Sequence, residues 1–127
     1  MDLGLKNRTI LVTGAAKGIG RGIALACAQE GADIALHYRE SAEEALQTAE
    51  EIKELGVQVC LVRGDIACIS EVERMKITIE KELGAVDSIV NNAGMAKNRS
   101  FFQYEPEEWK REVDVCFYGV LNLAHVF

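Results

Sequence analysis

Hydrophobic positions along the chain switch between two periods. Thr9-Ile10-Leu11-Val12 is a short apolar run of the kind that forms a strand, and it leads directly into the turn-rich Thr13-Gly14-Ala15-Ala16-Lys17-Gly18-Ile19-Gly20. From Ile19 the spacing becomes helical through Ile23, Ala24, Cys27 and Ala28, and it stops at Gly31, a residue suited to ending a helix. A second strand is predicted over Asp33–Tyr38. In the following Ser41-Ala42-Glu43-Glu44, hydroxyl and carboxylate have the spacing of a reciprocal helix cap, and the helix they open stops at Gly56.

The cycle then repeats. Val57–Val62 reads as a third strand, Ser70-Glu71-Val72-Glu73 as a second capping box whose helix ends before Gly84, and Val86–Val90 as a fourth strand. After an irregular stretch from Asn91 to Tyr104, Pro106 opens a last helical segment with Trp109, Val113, Phe117 and Leu121 on one face. That face is expected to be core or interface. Strands that alternate with helices imply parallel pairing, and near-continuous apolar strands imply burial on both faces. The expected architecture is α/β: a doubly wound parallel sheet in a single domain over residues 1–127, with strand order 3-2-1-4.

In that order the fourth strand is an edge, and Ser88-Ile89-Val90 carries no lysine or proline to block it. The last helix is still apolar at Phe127. The pattern therefore reads as the N-terminal half of a longer fold, truncated after the fourth strand and its helix, and the uncovered edge predicts a homo-oligomer.

Composition narrows the partners. Of 127 residues 49% are hydrophobic and 27% charged, as in a globular domain. Twenty Asp and Glu against fourteen Lys and Arg leave a net charge of −6, so there is no cationic field for nucleic acid. Charges near the N-terminus exclude an export signal there, and the 13-residue uncharged run from Val115 to Phe127 is too short for a membrane helix. A cytoplasmic protein is expected. Cys27, Cys60, Cys68 and Cys116 show no C-x-x-C spacing and read as reduced core residues, while His37 and His125 lack companions at ligand spacing, so no metal site is predicted.

The chemistry concentrates in the turn after the first strand. Gly14, Gly18 and Gly20 between a strand and a helix allow a tight turn and close approach of backbone N–H groups to a diphosphate at the positive end of the helix. This is a Rossmann-like arrangement. Thr13 to Gly20 resembles the T-G-x-x-x-G-I-G signature of the short-chain dehydrogenase/reductase family, and Asn91-Asn92-Ala93-Gly94 resembles its N-N-A-G motif. Leu3–Val12, Gly64-Asp65-Ile66, Val86–Val90 and Glu107-Glu108-Trp109 are similar to the family as well, and the 3-oxoacyl-carrier-protein-reductase-like enzymes are the subgroup of choice.

The resemblance implies a nicotinamide dinucleotide as cofactor and a small carbonyl or alcohol as substrate of the parent enzyme. It gives Gly14, Ala15, Ala16, Lys17, Gly18, Ile19 and Gly20 the diphosphate and adjoining ribose. It gives Asp65 the adenine amino group, Ile66 the flank of the ring, and Asn92, Ala93 and Gly94 the nicotinamide-side ribose, with Asn91 bracing the sheet. Charge selects the form of the cofactor: the second strand ends in His37-Tyr38-Arg39 rather than in a carboxylate that would repel a 2′-phosphate. Arg39 and Lys17 therefore favour NADP(H), with NAD(H) as the alternative.

No catalytic residue is assigned. In the family a serine and a Tyr-x-x-x-Lys pair do the acid–base work beyond the point this chain reaches, and Tyr38, Tyr104 and Tyr118 are followed four residues on by Ala42, Glu108 and Asn122. The family's helical asparagine falls on Cys116. Asn122, six residues later, is about 9 Å further along the helix and rotated by about 240°, so it is no simple substitute. The reading is thus the cofactor-binding part of a short-chain oxidoreductase; the alternative is a non-catalytic dinucleotide module, a pseudoenzyme or a truncation product.

Overall fold

The computed structural model describes residues 1–127. Strands β1 (Thr9–Val12), β2 (Asp33–Tyr38), β3 (Val59–Arg63) and β4 (Ser88–Val90) alternate with helices α1 (Gly18–Gln29), α2 (Ala42–Glu54) and α3 (Ile69–Leu83). A 3-10 turn at Phe101–Gln103 precedes α4 (Pro106–Val113), a π-helical turn (Asp114–Tyr118) and α5 (Gly119–Val126). All strand pairs are parallel, in the order β3-β2-β1-β4.

Alternation along the strands divides the core into two layers. Ile10, Val12, Ile34 and Leu36 face α1 and α2, packing on Ala24, Ala28, Ala45, Ala49 and Ile52. Leu11, Ala35, Cys60 and Val62 face the other way, onto Val72, Met75 and Ile79 of α3 and Leu123 of α5. Strands β1 and β2 are consequently buried on both faces, as their unbroken apolar runs require.

Side chains trim the predicted strands. Asp87 accepts the Thr9 N–H at 2.8 Å through its carboxylate, so ladder pairing with β1 begins only at Ser88. Asp33 does the same to Gln58 N–H at 2.8 Å, and β3 pairs from Val59. The predicted helix stops hold: Gly31 N–H bonds Ala28 O and Ala32 N–H bonds Cys27 O, the paired bonds of a glycine-terminated helix.

Both predicted capping boxes are corrected. Ser41 precedes α2 but its hydroxyl caps nothing, and α3 begins at Ile69, which puts Ser70 inside the first turn. The turn at Asp65, whose carboxylate and carbonyl take the N–H groups of Ala67 and Cys68, starts α3 instead. A reciprocal bond of this kind appears unannounced at α4, where Glu108 accepts the Glu105 N–H at 3.2 Å behind Pro106.

The cysteine reading holds for Cys60, which is buried, with its thiol pushed up to about 12 by burial and the neighbouring Glu82. Cys27 and Cys68 are half-buried and Cys116 is exposed; none forms a disulfide.

The core reading of the last helical face is also corrected. The π turn, closed by Gly119 N–H on Asp114 O, sets Val115, Gly119 and Leu123 against the sheet. Trp109, Val113, Phe117 and Leu121 stand outward, each 39 to 58% exposed, and Phe101 stacks on Trp109 with ring centroids 5.9 Å apart. An apolar stripe of this length, together with the open edge of β4, is expected to drive self-association. Sedimentation of the purified chain at micromolar concentration should give a dimer or larger species that Trp109→Asp with Phe117→Asp dissociates. A wild-type monomer with cooperative unfolding would refute this.

Candidate functional site

The carboxyl ends of β1, β2 and β4 converge on one short segment, Thr13-Gly14. The Thr13 hydroxyl, fully buried, donates to Val90 O (3.3 Å) and accepts the N–H groups of Asn92 (3.0 Å) and Ala93 (2.9 Å). The Asn92 amide returns two bonds, to Thr13 O (3.0 Å) and Gly14 O (3.1 Å). The turn after β1 and the segment after β4 are thereby locked together, leaving a cleft between them.

The glycines have separate duties in that lock. A Cβ on Gly20 would stand 2.2 Å from Gly14 O, so only glycine lets the first turn of α1 sit against the loop. Gly18 has φ +62° and nothing within 4 Å of where a Cβ would be: it needs glycine for its backbone, and its outer side is open. The N–H groups of Gly18, Ile19 and Gly20 find no acceptor in the chain, and the first turn of α1 carries no acidic residue. Three free donors at the positive end of a helix suit an anion, and the open side of Gly18 leaves room for a diphosphate.

Beside this turn lie two further walls. Lys17, Arg39, Ser41 and the Asn92–Gly94 segment border a cleft of about 370 Å³ that starts at Gly14. Arg39 also reaches a narrower, more apolar cleft formed with His37, Asp65, Ile66, Met95 and Val115. Glu40 lies 3.9 Å from the Arg39 guanidinium and Asp65 shares a cleft with it, so the end of β2 carries a cation with acids close by.

The Asp65-Ile66 turn is held from α4 and α5. Burial pushes the Asp65 carboxyl up, but the Ala67 N–H bond and the Arg111 guanidinium, 2.9 Å away, outweigh it and hold the group below its ordinary range. Asn122 donates to Ile66 O at 2.9 Å, and a Cβ on Gly119 would meet the Ile66 side chain at 2.7 Å. Asn122 is thus committed to this brace. Cys116 lies in the π turn, with Sγ 3.4 Å from both N and O of Met95.

Most residues anticipated for a cofactor meet along these clefts, with redistributed duties. Gly14, Lys17, Arg39, Asp65, Ile66, Ala93 and Gly94 line them, while Gly18 faces open space. Ile19 is 77% exposed and lines neither cleft, and Gly20 is buried against the Gly14 turn. Ala15 and Ala16 point their methyl groups into the core, and the Ala15 N–H is taken by His37 O, so Ala15 works as a packing residue. Asn92 carries the bracing duty expected of Asn91, which is exposed. Four further residues were not picked out: Thr13, Arg111, Asn122 and His37. The signal for His37 was a polar side chain in a strand otherwise apolar on both faces, a position that demands hydrogen-bond partners.

A parallel doubly wound sheet whose glycine turn feeds a helix at its carboxyl edge defines a Rossmann-like α/β fold. Residues 8–127 match the short chain dehydrogenase family, and the chain belongs to that family. It is similar to 3-oxoacyl-(acyl-carrier-protein) reductase FabG of Staphylococcus epidermidis, 39% identical over 91% of this chain and 48% of the relative. The corresponding protein of Aggregatibacter actinomycetemcomitans is 38% identical over 94% of this chain and 49% of the relative. A solved short-chain type dehydrogenase/reductase from Mycobacterium marinum superposes with a TM-score of 0.89 and 33% identity, over 96% of this chain and 49% of that one. The chain spans about half the length of the curated relatives it matches.

The geometry predicts that Gly20→Ala destabilises the chain by about 1 to 3 kcal/mol, because loop or helix must move to admit the methyl group. Gly18→Ala should cost about 1 to 2 kcal/mol through its backbone angle alone and leave the Gly14 environment unaltered. Urea titration with amide chemical shifts separates the two; a Gly20→Ala variant of wild-type midpoint and unshifted Gly14 amide would contradict the close approach.

Proposed function

We propose that this chain holds NADP(H) as the cofactor-binding part of an oxidoreductase that moves hydride between the nicotinamide and a small carbonyl or alcohol. The observation that carries the reading is the set of three unpartnered N–H groups at the start of α1, directly after Lys17, which lines one cleft together with Arg39. The diphosphate would take the N–H groups of Gly18, Ile19 and Gly20, and the 2′-phosphate would lie between Lys17 and Arg39. The adenine would enter the cleft of Asp65 and Ile66, and the nicotinamide ribose would face Ala93 and Gly94. When bound, the cofactor supplies the hydride; the residues of this chain bind and orient it.

The substrate class follows from the relatives' names, which point to a 3-oxoacyl carbonyl. The four unpaired cysteines suit a reducing compartment such as the cytoplasm. No helix is long and apolar enough to cross a membrane. The outward stripe of α4 and α5 suits a second copy of the chain.

Two measurements test the reading. In calorimetry at fixed ionic strength NADP⁺ should bind more tightly than NAD⁺, and Arg39→Asp should remove about 1.5 to 3 kcal/mol of that preference, toward the lower end because the side chain is half exposed. Lys17→Ala should reduce it further. Equal affinities, indifferent to both substitutions, would mean that the two cations are bystanders. Second, the 127-residue chain alone should oxidise no NADPH with ketone or 3-oxoacyl substrates, since none of its tyrosines has a lysine four residues on to help protonate the developing alkoxide. Saturable turnover above buffer would sink that expectation.

A further inference from the structure

His37 is a buried histidine of the sheet, 2% exposed, near the end of β2 where the two clefts meet. Its Nδ1 is 3.1 Å from the Gly14 N–H and its Nε2 is 2.8 Å from Gly64 O. An N–H can only donate and a carbonyl can only accept, so these partners fix the ring as the neutral tautomer with hydrogen on Nε2. The His37 carbonyl also takes the Ala15 N–H at 2.9 Å. One residue therefore holds two consecutive amides of the diphosphate turn and, through Gly64, the turn that carries Asp65.

We propose that His37 is a positioning residue for the dinucleotide: its neutral imidazole clamps the Gly14 turn to the Gly64-Asp65 turn, and cofactor affinity depends on that clamp. The proposal rests on the cofactor reading above. A second proton would go to Nδ1, replace an acceptor by a donor facing the Gly14 N–H, and push the turn away from the ring. Burial opposes that proton and lowers the ring's affinity for it, against a smaller opposite pull from the Gly64 bond and from Asp65. The charged groups around the ring are Asp65, itself paired with Arg111 of α4, and Arg39, which lines the same cleft. Val62 of β3, Thr13 and the Ala93–Met95 segment bring no charge to it. Because the native ring binds fewer protons than an exposed histidine, the clamp is intact at neutral pH and fails only as pH falls through the native ring's own midpoint.

The test uses NAD⁺, which has no 2′-phosphate to titrate, and the whole chain. Affinity should be level near neutrality and then fall toward tenfold per pH unit below the midpoint read from the ¹⁵N signals of the His37 ring, with the Gly14 amide shift moving in step. His37→Asn keeps an acceptor near the Nδ1 position and should bind within about threefold of wild type at pH 7.5, whereas His37→Gln keeps only the donor toward Gly64 and should lose about tenfold. Neither variant should reproduce the acid bend. Affinity that stays level or rises through the ring midpoint, or Asn and Gln variants of equal affinity, would overturn the proposal. If neither dinucleotide binds at neutral pH while the Gly14 amide still follows the ring, the clamp stands and the cofactor reading falls; an amide indifferent to the ring removes the clamp itself.

Discussion

The carboxyl edge of this sheet depends on one buried hydroxyl. Thr13 Oγ1 gives a hydrogen to Val90 O and receives two from Asn92 and Ala93, at a point where the β1–β4 ladder has ended and backbone groups would otherwise be stranded. A neutral hydrogen bond contributes about 1 kcal/mol net, but an orphaned buried N–H costs about 1 to 3 kcal/mol. Loss of this hydroxyl would strand the Ala93 N–H and leave the Asn92 N–H only its 3.0 Å bond to Val90 O. The hydroxyl therefore decides whether the segment after β4 follows the sheet or peels from it. With that segment fixed, the Asn92 amide can reach back to the carbonyls of Thr13 and Gly14, and the glycine turn is held in the shape that leaves the start of α1 uncapped by the protein.

The second turn of the site is held from outside the sheet. Asp65 and Ile66 belong to the loop between β3 and α3, yet their contacts come from Arg111, Gly119 and Asn122, on helices about fifty residues later in the chain. The π turn makes this possible by rotating α5 so that Gly119 and Leu123 face inward while Asn122 reaches Ile66 O. The outward apolar stripe is the other consequence of the same rotation. A change in how that stripe is covered would act on a helix that already touches the Asp65 turn.

Much of the fold was legible because its determinants are local. Alternating runs, glycines after helices and Pro106 at a helix start act within a few residues, and they gave the element order and the strand order 3-2-1-4. What escaped was set by distant partners. Ser41 and Ser70 have the spacing of a cap, yet the Ser41 hydroxyl makes no bond at the start of α2 and the turn at Asp65 takes over the start of α3. The period of Trp109, Val113, Phe117 and Leu121 marks one face of a regular helix correctly, but nothing local announces the π turn that gives the buried side to Val115 and Leu123. In the candidate site the glycines, Lys17 and Arg39 were marked by type and spacing, and Asp65 by the family resemblance. Thr13, His37 and Asn122 were not, because their work consists of single hydrogen bonds to backbone atoms many residues away.

The charge distribution closes the physical account. A chain of net charge −6 repels anions at long range, but at physiological ionic strength that field decays over about 8 Å. Inside that distance the local arrangement governs: α1 starts with three free donors and no acid in its first turn, and Lys17 and Arg39 line a neighbouring cleft that also holds Glu40. The acids nearest the clefts are already committed, Asp65 to Arg111 and Ala67, Glu40 beside Arg39. The acidic residues Glu43 and Glu44 are placed instead at the start of α2, and Glu71 at the start of α3, where they answer the helix dipoles. Of these three helix starts α1 alone keeps its positive end unanswered, and an anion bound there would be attracted by a protein that is acidic everywhere else in sum.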